Sequence, residues 1–205
     1  STHTVIEVVN DDMPFLVDSI SQELNRQGLG IHLIIHPVLA VSRAATGSLR
    51  DLGTPGEVAE GSRESFIHVE IDRQSDPAAL AGLEADLHHV LRDVRAAVTD
   101  WRAMRERISE VIAEIHAGAG AVPAEHRAEI EAFLSWLADD HFTLLGYNAY
   151  ILETGVTGVQ LRRVEGAALG ILRAKDDVRR GVLTQIFGTA FYDQITGKLE
   201  DWRRE

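Results

Sequence analysis

Three short polar residues, Asn10-Asp11-Asp12, stand between an apolar run and the pair Pro14-Phe15. Short polar side chains favour turns and helix starts. A helix start presents free backbone N–H groups and partial positive charge, which together can bind the carboxylate of a small metabolite. The sequence therefore predicts a candidate effector turn, whose residues are Asn10, Asp11, Asp12, Met13, Pro14, Phe15 and Leu16. The alternative interpretation is that Asp12 only caps the helix and Phe15 only packs.

Histidines form a second group of residues that could do chemistry. His32 and His36 lie on one predicted strand, and His68 lies with Glu70 on another. Mixed His and Glu ligands are typical of metal sites. However, residues four apart on a strand are separated by roughly 13 Å, which is too far for one ion. We therefore predict no metal here, but a polar, accessible sheet face that packs against another domain, with interface candidates Ile31, His32, His36, His68 and Glu70.

Two other polar groups are interpreted as structural. His88-His89 falls on a predicted helix, where adjacent side chains point in different directions and cannot form a ligand pair. Asp139-Asp140-His141 falls at a predicted helix end, where a histidine is favoured by the helix dipole. Neither group predicts a catalytic residue.

The candidate turn is positioned by a strand before it and a helix after it. Val5 to Val9 is rich in β-branched residues, which favour a half-buried strand. We expect Asp12 to cap the helix and Pro14 to occupy its first turn. Apolar residues at helical spacing continue the helix, and Gln27-Gly28 ends it. The apolar stripe consists of Leu16, Ile20 and Leu24, with Val17 beside them.

The next segments extend this pattern to β-α-β-β-α. Gly30 to Val41 is an apolar run interrupted by Pro37, which predicts an edge strand or a bend. Thr46 to Ser62 is a predicted loop, and Glu64 to Asp72 alternates apolar with polar residues as a half-buried strand does. Ser75-Asp76-Pro77 is a helix start. This order is one strand short of the ferredoxin-like βαββαβ unit.

Residues Pro77 to Ala117 permit two interpretations. Their apolar positions keep helical spacing throughout, which favours one helix of about 60 Å. Alternatively, Asp93 to Thr99 alternates and could supply the missing fourth strand. The spacing slightly favours the unbroken helix.

The second half of the sequence predicts helices followed by strands. Gly118 to Pro123 is a break, and Ala124 to His141 is an amphipathic helix that would form an antiparallel hairpin with the preceding one. Phe142 to Leu152 and Val159 to Glu165 are paired strands, which either join the first sheet or start a second. The predicted domains are therefore 1–100, 101–141, 142–173 and a C-terminal segment, 174–205, of unknown type.

Four separate blocks of this sequence occur in the order found in a known family. They are VIEVVNDDMPFLVDSI, GIHLIIHPVLAVSR, ESFIHVEID and FLSWLADDHFTLLGY. Over Thr4 to Arg173 the chain resembles the N-terminal regulatory region of the large bacterial NAD-specific glutamate dehydrogenases. The resemblance implies an α+β fold in which an ACT-like domain, of the ferredoxin-like βαββαβ type, precedes the helical hairpin and the antiparallel β segment.

The resemblance also implies where an effector would bind. ACT domains bind amino acids at the strand-to-helix turn, often between two domains. Their pattern there is Asp, any residue, Pro, Gly, any residue, Leu. This sequence matches that pattern at Asp12 and Pro14, but Phe15 replaces the glycine and Val17 replaces the final leucine. A phenylalanine ring would occupy or line the space that glycine leaves for a ligand.

Composition excludes several classes of function. The 205 residues carry a formal net charge of −12, which disfavours nucleic acid as a partner. No apolar run approaches the roughly 20 residues that span a bilayer, and the first residues do not have the pattern expected of a signal peptide. The absence of cysteine excludes disulfides and is consistent with the cytoplasm. The abrupt start inside a strand suggests a segment excised from a longer protein.

These observations predict a non-catalytic regulatory and assembly segment. A dinucleotide site needs G-x-G-x-x-G between a strand and a helix, and the sequence has none. We therefore expect no cofactor in this segment, and NAD in the catalytic region of the parent enzyme. The expected partners are other domains or subunits of the same protein, in a homo-oligomer, and an amino-acid effector. The alternatives are a purely architectural domain and, less favoured, a small free-standing enzyme that uses Asp11, Asp12 and the histidines.

Overall fold

The computed structural model describes residues 2–58, 61–118, 124–155 and 158–173. It divides into two compact units, Ser1–Arg95 and Ala96–Glu205, and each unit is described by itself. The predicted C-terminal segment, 174–205, lies outside the described residues. Among those residues, no helix is both long and apolar enough to cross a membrane.

The first unit is built on a five-stranded antiparallel sheet. Its strands are β1 (His3–Asp11), β2 (Ile31–Ile35), β3 (Val38–Arg43), β4 (Leu49–Gly53) and β5 (Ser62–Asp72). The strand order is β1-β5-β3-β4, and β2 also pairs with β5. The central strand β5 therefore has β1 along one edge and β2 followed by β3 along the other.

Pro37 explains why one apolar run forms two strands. It lacks an N–H group and cannot donate to a ladder, so the run divides into β2 before it and β3 after it. Both strands still pair with β5, and the Phe66 N–H donates to the Pro37 carbonyl at 3.0 Å. The predicted bend is confirmed. The predicted edge position is confirmed for β2 but not for β3, because β3 also pairs with β4.

The strand β4 contradicts the prediction of a loop over Thr46 to Ser62. Its sequence, Leu-Arg-Asp-Leu-Gly, has little intrinsic strand preference. It is a strand because it pairs antiparallel with β3, from Ala40 opposite Gly53 to Arg43 opposite Leu49. Tertiary pairing has here overridden local propensity.

The core of the first unit lies on one face of the sheet. The helix α1 (Leu16–Arg26) leaves Val17 of its predicted stripe only partly buried. It buries the other three residues completely, and β5 contributes alternate residues from its inner face. These residues, all at most 2% exposed, are Leu16, Ile20, Leu24, Ile67, Val69 and Ile71. Gly28, with φ of 73°, follows the helix as its ending predicts.

The helix α2 (Pro77–His116) has 40 residues without interruption. It begins where the sequence predicts, and the Ala78 N–H donates to the Asp76 carboxylate at 3.1 Å as a helix cap. The alternative of a strand over Asp93 to Thr99 is wrong, because these residues continue the helix. The boundary between the two units falls within α2.

The second unit contains shorter elements. After α3 (Ala124–Trp136), a π-helical turn covers Leu137–His141. The strands are β6 (Gly146–Tyr147), β7 (Tyr150–Gly155), β8 (Gly158–Arg163) and β9 (Leu169–Gly170), and a 3-10 turn follows at Ile171–Arg173. They pair as two small antiparallel sheets, β6 with β9 and β7 with β8.

The α3 helix is shorter than predicted, since Asp139 and Asp140 have non-helical backbone angles. The predicted strand Phe142 to Leu152 is divided between β6 and β7, and β7 forms its own small sheet with β8. The hairpin arrangement of the two long helices stays a prediction.

Candidate functional site

The candidate effector turn joins β1 to α1 without a side-chain cap. The residue before the helix is Phe15, which has left-handed backbone angles (φ 70°, ψ 3°). The prediction that Asp12 caps α1 is wrong, and so is the placement of Pro14 in the first helical turn, because the helix starts at Leu16. The Asp12 carboxylate instead accepts hydrogen bonds from Arg63 Nε at 3.0 Å and from Ser65 Oγ at 2.9 Å.

The other two polar residues of the turn are held by α2. Arg95 donates from Nη1 to the Asp11 carboxylate at 2.6 Å and from Nη2 to the Asn10 side-chain oxygen at 2.8 Å. Arg95 is the functional residue that sequence reasoning missed. Its position at the end of the Leu87-Leu91 row of α2 was the available signal, since that row faces β1 across a groove.

This arrangement leaves the start of α1 able to bind a small anion. Its first-turn N–H groups have no side-chain cap, and such groups attract a carboxylate. The Phe15 side chain lies beside them and is 48% exposed. Asp18 places a negative charge in the same turn, which opposes anion binding. The carboxylates that could receive the ammonium group of an amino acid, Asp11 and Asp12, are already paired with arginines.

The opposite face of the sheet carries the predicted interface residues. The side chains that point away from Ile67 and Val69 form a surface that we call the open face. It consists of His3, Val5, Glu7, Val9, Leu33, Ile35, Phe66, His68 and Glu70. Ile31 does not belong to it, because it pairs with Ile71 on the buried side. His36 lies in the break between β2 and β3 and is exposed.

Histidines and carboxylates meet on and beside the open face. His68 Nδ1 lies 3.4 Å from Glu7 Oε1, and its Nε2 lies 3.6 Å from Glu70 Oε1. His3 Nδ1 is 3.6 Å from the other Glu70 oxygen, and its ring centroid lies 4.5 Å from that of His32. These contacts form a polar cluster. No group of three or more His, Asp or Glu in the described part of the chain is arranged to hold a metal ion.

Asp72 anchors the edge of this cluster. Its carboxylate accepts the Gly30 N–H at 2.8 Å and contacts His32 Nε2 at 2.8 Å. The bond from the Gly30 backbone, and then the bond with His32, lowers the pKa of Asp72 below its ordinary value. The His32 side chain is therefore held by Asp72, and the bulge in the β2 ladder lies at the same position.

Apolar side chains of the open face are more exposed than the sequence analysis anticipated. Val5, Val9, Leu33 and Ile35 are between 40% and 55% exposed. The sequence signal was the lack of alternation in β1 and β2, where both faces carry apolar residues. They lie on β1 and β2, on either side of His68 and Glu70 of β5. Several large exposed apolar side chains on one face mark a protein contact surface.

The first 87 residues match a known family. Residues 1–87 fit the family model described as "Glutamate dehydrogenase, ACT1 domain". This part of the chain belongs to that family. The resemblance that the first three sequence blocks predict is therefore confirmed, and the left-handed Phe15 occupies the position where the sequence departs from the ACT pattern.

Curated relatives extend the similarity beyond the ACT1 domain. The chain is 46% identical over 176 residues to the NAD-specific glutamate dehydrogenase of Halomonas elongata, and that alignment covers 84% of the chain. It is 37% identical to the NAD-specific glutamate dehydrogenase of Pseudomonas aeruginosa and 31% identical to that of Mycobacterium tuberculosis, over 87% and 85% of the chain. The chain spans only 11% of the length of each of these relatives.

Proposed function

We propose that this chain is a non-catalytic regulatory and assembly segment of a large NAD-specific glutamate dehydrogenase. Its role is to hold another domain or subunit of the same protein against the open face. The observation that carries this proposal is the exposure of four apolar side chains on that face, Val5, Val9, Leu33 and Ile35. A parent polypeptide of the length of the relatives has ample chain outside this segment to cover them.

The polar residues of the open face suit this role. His68 and Glu70 lie on β5 between the apolar side chains of β1 and those of β2, and Glu7 lies between Val5 and Val9. The face therefore offers a partner both apolar contacts and hydrogen-bonding groups. The parent reaction, oxidative deamination of L-glutamate to 2-oxoglutarate with NAD, is proposed to occur elsewhere in the parent chain. The segment is proposed to act in the cytoplasm and in a homo-oligomer.

The assembly role is tested in the full-length parent enzyme. Leu33→Glu combined with Ile35→Glu places two charges on the β2 side of the open face, and both residues are exposed, so the fold of the segment is expected to persist. Sedimentation velocity is expected to show a smaller assembly or a less compact particle. The matched control is Ala85→Glu, which adds a charge on an exposed part of α2. Unchanged sedimentation in the double variant would remove support for this role.

The second candidate function is binding of an amino acid at the start of α1. The specific observation in its favour is the uncapped first turn of α1, next to the half-exposed ring of Phe15. A carboxylate there would accept hydrogen bonds from the free N–H groups and interact favourably with the helix dipole. Regulation would further require that the amino acid bind two states of the parent enzyme with different affinities.

Amino-acid sensing is tested by thermal shift of the parent enzyme against the twenty amino acids and small dicarboxylates. A ligand at 100 times its dissociation constant stabilises the folded state by about 2.7 kcal/mol. A shift that is lost in a Phe15→Ala variant would support binding at this turn. A shift that persists unchanged in that variant would place the ligand elsewhere, and no shift would favour the purely architectural alternative.

A further inference from the structure

The first strand of the sheet has a free edge. β1 pairs with β5 along one side, and no other strand in the described part of the chain pairs with its second side. The free edge runs for nine residues, His3–Asp11, or about 30 Å. It contains no proline, lysine or bulge, the features by which natural edge strands prevent pairing. This edge is therefore open to another strand.

The register identifies which backbone groups point to that edge. In antiparallel pairs the hydrogen bonds of successive residues point to opposite sides of the strand. The Asp12 N–H donates to the Arg63 carbonyl at 3.0 Å, so the even-numbered residues of β1 bond to β5. The N–H and C=O groups of Val5, Glu7 and Val9 consequently point to the free edge.

A groove of about 610 Å³ lies along this edge, between β1 and the first part of α2. Thr4 to Asn10 form its strand side, and Leu80, Leu83, Leu87 and Leu91 give its helix side an apolar row. Ile6 and Val8 are only partly buried, whereas their neighbours across the ladder, Val69 and Ile67, are at most 2% exposed. The core is thus incompletely covered at β1.

The position of the groove matches the gap in the topology. In the split βαβ unit, a strand that follows the second helix would pair with the free edge of the first strand. Here residues 93–116 continue α2 as helix, so these residues cannot supply that strand. The place that a fourth strand would occupy is lined by the backbone groups at the free edge of β1 and by the apolar side chains of α2.

We propose that a β-strand from a part of the parent polypeptide outside residues 1–205 pairs antiparallel with β1 and fills this groove. Its backbone would bond to Val5, Glu7 and Val9, and alternate apolar side chains would point towards Leu83, Leu87 and Leu91. The proposal rests on the proposed assembly role and identifies a second surface for it, separate from the side chains of β2 on the open face.

Charge in the groove indicates which residues the incoming strand carries. Arg95 donates hydrogen bonds to Asn10 and Asp11 at the end of β1. His88 and Arg92 of α2 also line the groove, so its basic end lies near the end of β1. The chain as a whole is strongly acidic. An acidic residue near the start of an antiparallel strand would lie at this basic end and complement it.

The length of the relatives favours the parent polypeptide as the source of the strand. Nearly nine tenths of each relative lies outside the matched region, so many segments are available to supply one strand. A second copy of this chain would bring a strongly acidic partner, and pairing of β1 with itself about Glu7 would oppose two glutamates.

The test is amide hydrogen exchange at residue resolution in the full-length parent enzyme. Even-numbered amides of β1, such as Ile6 and Val8, are expected to be protected because they bond to β5. The proposal predicts that the amides of Val5, Glu7 and Val9 are protected at least tenfold as well. Glu7→Pro removes one donor at the free edge and is expected to release Val5 and Val9, while Glu7→Ala, the control, leaves their protection unchanged. Exchange of Val5, Glu7 and Val9 at unprotected rates in the parent enzyme would overturn the proposal.

A photo-crosslinking residue in place of Glu84, on the helix side of the groove, identifies the occupant in the same enzyme. A crosslink to a single segment outside residues 1–205 supports the proposal. A crosslink to residues within 1–205, including β1 of a second copy, or no crosslink, overturns it. The variant with Leu33→Glu and Ile35→Glu alters only β2. If it loses assembly while the amides of Val5 and Val9 stay protected, the open face and the edge of β1 bind their partners independently, and each proposal can fail without the other.

Discussion

Arg95 and Asp11 lie 84 residues apart in sequence and form a hydrogen-bonded ion pair of 2.6 Å. The same guanidinium donates to Asn10, so one arginine of α2 fixes the last two residues of β1. The geometry of the candidate turn therefore depends on α2 as well as on its own sequence. A change in the position of α2 would be transmitted directly to the start of α1.

Replacing this arginine tests how much the contact contributes. Arg95→Met is expected to lower the free energy of unfolding by about 1 kcal/mol, because both side chains of the ion pair are partly exposed and such pairs are weak. Urea denaturation of the chain measures the difference. Arg92→Met, one helical turn earlier and also exposed, is the control and is expected to change it less. Equal effects of the two substitutions would contradict a specific role for Arg95.

The left-handed conformation of Phe15 leads to a second prediction. A residue with a Cβ atom is strained by roughly 1–2 kcal/mol in this conformation, whereas glycine is not. Phe15→Gly and Phe15→Ala both remove the ring, but only glycine removes the strain. We expect the glycine variant to be more stable than the alanine variant by about 1 kcal/mol, measured by urea denaturation. A more stable alanine variant would show that Phe15 is not left-handed in solution.

Asp12 provides a third prediction, because its contacts differ from those of a helix cap. Its carboxylate accepts from Ser65, whose side chain is fully buried, and from Arg63. Asp12→Ala leaves the buried Ser65 hydroxyl without this partner and is expected to cost about 1–3 kcal/mol. In a double-mutant cycle, Ser65→Ala combined with Asp12→Ala is expected to cost less than the sum of the two single changes. Additive costs would argue that Asp12 stabilises the fold in some other way.

Periodicity in the sequence was sufficient for the elements that bury a regular face. The Leu16-Ile20-Leu24 stripe, the alternating β5 and the continuous α2 are all present as their spacing indicates. In contrast, β4 has no such pattern, and only its pairing with β3 makes it a strand. The local sequence of β4 does not indicate that it pairs with β3.

The turn between β1 and α1 was predicted in position, but its contacts were not. The residues of the turn are local, yet their partners Arg63 and Arg95 are 51 and 84 residues away in sequence. A cap by Asp12 was the reasonable local expectation, since aspartate is common at helix starts. It failed because distant arginine and serine side chains offered the carboxylate a set of bonds that the local backbone could not.

Asp100 leads to the last prediction, which concerns pH. Its carboxylate is 7% exposed and accepts hydrogen bonds from Arg173 and from the Gly170 N–H, at 2.7 Å. The pKa of Asp100 in the folded chain is lowered, and the hydrogen bond from Arg173 is the largest cause. A carboxyl group with a lowered folded pKa stabilises the fold fully above its unfolded pKa, about 3.9, and loses this contribution as the pH falls through the folded value.

The chain is therefore expected to lose stability as the pH falls below about 5, since Glu64, bonded to Arg43, also has a lowered pKa. Urea denaturation at a series of pH values measures the dependence. Asp100→Asn, which cannot titrate, is expected to be less stable than the wild type near pH 7 and to have a smaller slope between about pH 5 and pH 3. Glu64→Gln is the matched comparison, and it should reduce the slope while leaving the contacts of Asp100 intact. If Asp100→Asn kept the full wild-type slope, Asp100 would not bind Arg173 in its charged form, and the contact of α2 with Gly170 and Arg173 would have to arise differently.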